Sequence, residues 1–219
     1  MSATFTGELR PELLPFLVAG DRRVLDVGCG SGGFGRAIRS ARPNLEVWGI
    51  EPDEDAATVA RLGGYQGVEC GYFPDAASNL RSSLFDVVFF NDVLEHMTEP
   101  QSALAEAKRL VAPNGRVVAS IPNVRHMSVW WALVRHGRWD YEDFGILDRT
   151  HVRFFTPATM RELFVDSGWR VERLTGINRS RWPMARTDTW KTRWLSTLTL
   201  GRSDVFFFVQ YVVEATLPA

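Results

Sequence analysis

The stretch RVLDVGCGSGGFGRAI, from Arg23 to Ile38, constrains the fold more than any other part of this chain. A β-branched, apolar run from Val24 to Val27 stops at a turn dense in glycine, and from Phe34 the pattern becomes helical. Strand, tight loop and helix in that order form the first half of a βαβ unit. Parallel strands joined in this way need helices over the sheet faces. The glycines let the loop turn sharply and let its backbone approach a ligand closely, because no Cβ intervenes.

The rest of the chain keeps this alternation. Strands are expected at LEVWGI (45–50), QGVECG (66–71), FDVVFF (85–90), GRVVASI (115–121), WRVERLTG (169–176) and VFFFVQYVVEA (205–215). Helices are expected in RPELLPFLVAG, from Phe34 to Ser40, in DEDAATVARL behind an Asp53 cap, from Glu99 to Val111, and in ATMRELFVDSG behind Thr156-Pro157. The pattern predicts an α/β chain with a doubly wound, Rossmann-like, seven-stranded and mostly parallel sheet, helices lying on both faces. No crossover helix is legible between the last two strands, so they should pair antiparallel.

At 219 residues, with no repeat or linker, the chain reads as a single domain over 1–219. A net charge of −1 argues against a nucleic-acid binder. Cys29 and Cys70 have no metal-ligand spacing and form no framework, which fits a reduced, cytoplasmic setting. The start of the chain lacks signal-peptide character, and no apolar run approaches the roughly 18 residues of a spanning helix. Two segments break the rhythm. Residues 123–148 follow the fifth strand, are dense in tryptophan, and are placed to cover a substrate beyond the strand ends. Residues 176–204 are basic and also rich in tryptophan.

The glycine loop fits two fingerprints. Gly28, Gly30 and Gly33 match the G-x-G-x-x-G of a nicotinamide dinucleotide site. Asp26, Gly28, Gly30 and Gly32 match the acidic-x-G-x-G-x-G of an S-adenosylmethionine site. A tight turn with no ligand is a third reading. The fourth and fifth strands decide among them. FDVVFFNDVLEHMTEP, an amphipathic helix and APNGRVVASIPN closely resemble the class I S-adenosylmethionine-dependent methyltransferases. IPNVRH followed by GILDRTHVRFFT is similar to a bacterial subgroup linked to glycan and secondary-metabolite pathways, and more distantly to ubiquinone-pathway O-methyltransferases.

The resemblance implies S-adenosylmethionine as cofactor and S-adenosylhomocysteine as product. It sets the methionine part against Asp26, Gly28 and Gly30, the ribose hydroxyls on Glu51, and Asn91 and Asp92 around the sulfonium. Many relatives carry an acid after the third strand to receive the adenine amine. Here Tyr72 stands at that position, leaving Asp75 or the backbone at Tyr72 and Phe73 to do so. Arg10 is read either as a solvated surface arginine or as a partner of the cofactor carboxylate.

Methyl transfer to a hydroxyl needs in-line alignment, exclusion of water and a base. His151 is the first candidate base and His126 the second, with Asp148 either orienting His151 or capping a turn. His96 is read as fixing the loop after the fourth strand, and His136 as solvated. A metal held by His126, Asp148 and His151 is conceivable by ligand type, but the chemistry does not require one, and none is expected. Trp130, Trp131, Trp139, Tyr141 and Phe144 suit an aromatic lid or wall, or anchor the segment to the core. The basic segment is read as a solvated excursion or oligomer contact, with a diphosphate carrier or anionic membrane surface as the alternative. The resulting expectation is O-methylation of a sugar, glycan precursor or secondary metabolite. The rivals are N-methylation of an amino sugar or other small amine, a nicotinamide-dependent oxidoreductase, and a catalytically silent cofactor-binding protein.

Overall fold

Strand β1 (Arg23–Val27) is the pivot of the molecule. It pairs in parallel with β2 (Glu46–Glu51) on one side and with β4 (Phe85–Asn91) on the other. Beyond them lie β3 (Gly67–Cys70), β5 (Val111–Pro122), β6 (Arg170–Arg179) and β7 (Phe208–Thr216), in the order β3-β2-β1-β4-β5-β7-β6. The computed structural model describes residues 9–80, 84–180 and 203–218. Strand β7 is antiparallel to both β5 and β6, as the missing crossover helix predicts.

Side-chain alternation divides the sheet into two cores. Val24, Val87, Phe89, Val118 and Val212 face one side, against Phe34 and Ile38 of α1 (Gly33–Ala41) and Ala57 and Ala60 of α2 (Glu54–Leu62). Their neighbours Leu25, Val88, Phe90, Val117 and Val213 face the other side. There they meet Leu104 and Leu110 of α3 (Pro100–Leu110) and Met160 and Phe164 of α5 (Pro157–Asp166). A strand buried on both faces reads as a continuous apolar run, and that is why FDVVFF and RVLDV were legible. Asp53 caps α2 by accepting from the Ala56 N–H at 2.8 Å, and Thr156 with Thr159 forms a capping box on α5.

Three boundaries move from their sequence positions. The first helix, Pro11–Phe16, is a 3-10 helix with Pro15 inside it. Strand β5 starts at Val111 because Val111 pairs with Phe85; the register then jumps to Val87 and Arg116. The Pro113-Asn114-Gly115 turn therefore sits within an irregular stretch of strand. Strand β6 runs on to Arg179, so the segment expected to leave the sheet at 176 begins inside it, with Ile177 beside Gln210. Trp182, Trp190 and Trp194 lie outside the described residues. Within 123–148 a helix, α4 (Met127–His136), follows β5. Among the described residues no helix is long and apolar enough to cross a membrane.

The strand order reverses between β1 and β4. A crevice at the carboxyl ends of these strands is where an open α/β sheet receives its ligand.

Candidate active site

The loop after β1 is tied to β2, because the N–H groups of Gly28 and Cys29 both donate to the Ile50 carbonyl, at 2.8 and 3.2 Å. Gly28, Gly30 and Gly32 have φ of +70°, +52° and +82°, left-handed values that exclude most side chains. Their surroundings differ. A Cβ on Gly28 would meet Val93 at 2.7 Å, whereas a Cβ on Gly30 would meet nothing within 4 Å. Gly30 is the loop position that borders open space.

Glu51, at the end of β2, is buried and closes the loop from the side. Its Oε2 accepts the Gly30 N–H at 2.7 Å and its Oε1 accepts the Asp53 N–H at 3.0 Å. Each oxygen keeps a lone pair, so two adjacent hydroxyls could share this carboxylate. Burial raises the Glu51 pKa above its ordinary value, against the lowering effect of those amides. Asp26 is also buried, and accepts from the Tyr65 hydroxyl at 2.7 Å and from Asn91 Nδ2 at 3.2 Å. Burial pushes its carboxyl up to about 7. The Oδ1 of Asn91 is buried with no hydrogen-bond partner. An acceptor carboxylate, a glycine open to space and an unpartnered amide oxygen fit a ligand with ribose hydroxyls and a cationic end.

Asp92 has φ +53° and turns its carboxylate toward Arg10 Nη1, with Gln210 Nε2 donating to it at 2.7 Å. Arg10 is itself buried and also donates to Ser120 Oγ at 3.0 Å and Glu12 at 2.7 Å. Burial alone would lower its pKa, but the ion pairs with Asp92 and Glu12 outweigh that and raise it. The reading of Arg10 as a solvated surface arginine is thus corrected. Leu13 and Phe16 pack into the core and carry Arg10 over the ends of β4 and β5. The two residues beyond the third strand part company: Tyr72 is 77% exposed, while Phe73 packs edge-on against Phe90 at 5.3 Å.

His151 lies against the loop that follows β4. Its Nδ1 lies 3.0 Å from the Ile146 carbonyl, and a carbonyl only accepts, so Nδ1 carries the proton and Nε2 the lone pair. Burial lowers its pKa, with the Ile146 hydrogen bond opposing, so the ring is neutral at pH 7. Its Nε2 is 4.0 Å from Glu95 Oε1. Glu95 is fully buried with both carboxylate oxygens unpartnered, and burial drives its pKa well above the ordinary range. The backbone carbonyl of Glu95 accepts from Val152 and Arg153, each at 3.0 Å, stitching this segment to the loop after β4. The exposed His96 packs its ring edge-on to His151 at 4.7 Å, with its Nδ1 3.2 Å from Thr150 Oγ1.

Asp148 does not orient the His151 ring. Its carboxylate accepts instead from the Thr150 N–H and hydroxyl, at 2.7 and 2.6 Å, because the two-residue offset closes a turn. The orienting partner is the Ile146 carbonyl. His126 caps α4, its Nδ1 accepting from the Ser128 N–H at 3.3 Å, while its Nε2 is buried and unpartnered. Burial lowers its pKa too. Among the described residues no hydrogen bond links His126 to His151 or Asp148. The grouping with ligand-type atoms is a different one: Glu95, His96 and His151 each offer one, all within 4.8 Å. Glu95 carried no sequence signal beyond its place in LEH.

An aromatic wall adjoins His151. Phe154 meets Trp139 at 5.2 Å, Tyr141 at 6.1 Å and His151 at 6.3 Å. Met127 and Val129 hold α4 down against small apolar clusters, while Trp130, Trp131, Leu133 and Val134 remain exposed.

The chain is similar to known methyltransferases. The family described as a methyltransferase domain matches residues 4–174. The ubiquinone biosynthesis O-methyltransferase of Pectobacterium atrosepticum is 30% identical over 161 residues, which are 72% of this chain and 66% of that protein. Its namesake from Thiobacillus denitrificans is 35% identical over 163 residues, 71% of this chain and 68% of that one. The chain thus spans about two thirds of the length of these relatives. Among solved structures, a SAM-dependent methyltransferase from Archaeoglobus fulgidus superposes with a TM-score of 0.67 at 21% identity, over 94% of this chain and 90% of that one. The plantazolicin methyltransferase BpumL, in complex with SAH, gives 0.62 at 15% identity, over 95% and 80%.

Proposed function

The chain belongs to the class I S-adenosylmethionine-dependent methyltransferases, and from that premise we propose that it methylates a hydroxyl of a sugar, glycan precursor or secondary metabolite, with His151 as the base. The bound cofactor supplies an activated methyl group on its sulfonium. Glu51 holds the ribose hydroxyls, Gly30 gives the backbone room, and Asp26 with Asn91 faces the amino-acid end. Asp92 and Arg10 close the crevice between the two halves of the site. His151 accepts the hydroxyl proton at Nε2 as the oxygen bonds to the methyl carbon. The aromatic wall of Trp139, Tyr141 and Phe154 lies against the acceptor ring and keeps water away. A reducing cytoplasm is in keeping with the free thiols Cys29 and Cys70.

The observation that carries the base assignment is the fixed tautomer of His151, neutral and within electrostatic reach of Asp92. Its test is turnover. His151→Ala should lower kcat by roughly 10²–10⁴-fold, the usual worth of general base catalysis, with S-adenosylhomocysteine affinity unchanged. If His151→Ala and His126→Ala each keep nearly full kcat, the base is neither, and an amine acceptor becomes the better reading. A thermal shift with NADH and none with S-adenosylhomocysteine would return the oxidoreductase. The names of the relatives favour a second acceptor, an aromatic hydroxyl in ubiquinone biosynthesis. Side-by-side rates on a catechol and on a glycoside separate the two.

A further inference from the structure

Tyr65 lies in the turn between α2 and β3, far from the glycine loop in sequence and against it in space. Its ring is buried, and its hydroxyl donates to Asp26 Oδ2 at 2.7 Å while accepting the N–H of Gly35, in the first turn of α1, at 3.0 Å. A Cβ on Gly32, Gly35 or Gly49 would meet that ring at 3.0, 2.1 and 3.1 Å. Glycines on three elements, the loop, α1 and β2, thus make room for one aromatic side chain. A ring this confined has one position open to it, so its hydroxyl is aimed rather than mobile.

We propose that Tyr65 is a positioning residue for the methyl donor: it fixes the Asp26 carboxylate and the start of α1 to each other, and so shapes the loop that receives the donor's amino-acid end. The inference rests on the cofactor reading above and deepens it. Tyr65 touches no reacting atom and acts through Asp26.

The same geometry ties donor binding to a proton. The groups that face Asp26 are Tyr65 from the α2–β3 turn, Asn91 at the end of β4, Arg10 from the first segment, Glu51 at the end of β2 and Cys29 in the loop. Burial dominates them and holds the carboxyl at about 7, so near neutrality the free protein carries part of a proton there. The donor brings an ammonium group to this end of the crevice, which favours the ionised carboxylate. Binding therefore releases a proton, and affinity falls as the pH drops below about 7. The Tyr65 O–H stabilises the carboxylate, so its loss moves this fall to higher pH.

The test is calorimetric titration of S-adenosylhomocysteine from pH 6 to 8.5 into wild type, Tyr65→Phe and Asp26→Asn. Tyr65→Phe keeps the ring and its packing. It should bind roughly ten- to hundredfold more weakly at pH 7.5, as expected for a lost hydrogen bond to a charged group, with its pH midpoint raised. Asp26→Asn should lose the pH dependence. A purely structural tyrosine would lower the melting temperature of Tyr65→Phe and leave affinity and midpoint at wild-type values, and that result overturns the proposal. A wild-type pH limb retained in Asp26→Asn overturns it as well. If Tyr65→Phe does not fold, the wild type decides alone: zero proton release at pH 7, measured across buffers of different ionisation enthalpy, overturns it. No binding by wild type at any pH is a distinct outcome, for then the cofactor reading itself falls and takes this inference with it.

Discussion

The glycine loop, Val27 to Gly33, and the expected cover, residues 123–148, both lie beyond strand ends, yet they are held by opposite means. The loop is held at several points: two amides donate to the Ile50 carbonyl, one donates to Glu51, and the buried Tyr65 ring lies against Gly32. The cover rests on Met127, Val129, Ile146 and Leu147, and leaves Trp130, Trp131, Leu133, Val134 and Phe144 facing outward. A cofactor shared by a superfamily can be met by a rigid, preformed surface. If the proposed cover meets the acceptor, a segment with few buried anchors suits that task, since low local stability of this kind belongs to elements that move.

The comparison breaks first on stability. Phe89→Ala, which removes a fully buried ring of β4 beside β1, should cost about 3–5 kcal/mol in denaturant unfolding. A cost near zero would mean the sheet core does not support the loop. Next, Gly30→Val should weaken S-adenosylhomocysteine binding by about a hundredfold or more, roughly 2.7 kcal/mol, because the branches fill the open space at φ +52°. Unchanged affinity by calorimetry would put the cofactor elsewhere. At the small end, Val134→Ser on the exposed face of α4 should change stability by no more than about 0.5 kcal/mol. A larger loss would show that the cover is packed as firmly as the loop, and the contrast would disappear.

What could be read from the chain follows the same division. Asp26, Gly28, Gly30, Gly32 and Glu51 sit at fixed offsets from strand ends, and a strand buried on both faces is an unmistakable apolar run. The strand order came from the structure, whereas the mostly parallel sheet was legible from that pattern and the antiparallel ending from the missing crossover helix. Arg10 was not: its partners Asp92, Ser120 and Gln210 lie 82, 110 and 200 residues away. Tyr65 was not, because a lone tyrosine in a turn has no periodicity to mark it. Spacing alone leaves Asp148 either orienting His151 or capping a turn, and the structure gives its carboxylate to the local turn at Thr150.

The sequence by itself determined the βαβ alternation, the sheet covered on both faces, and the glycine-rich turn after the first strand, since each of these depends on neighbours within one or two elements. The tertiary structure alone decided which charges are buried together. Arg10 on Asp92, Tyr65 on Asp26 and His151 beside Glu95 are meetings of side chains from separate elements. Their strength comes from removal from water, and burial is a property of the folded whole that no local pattern encodes.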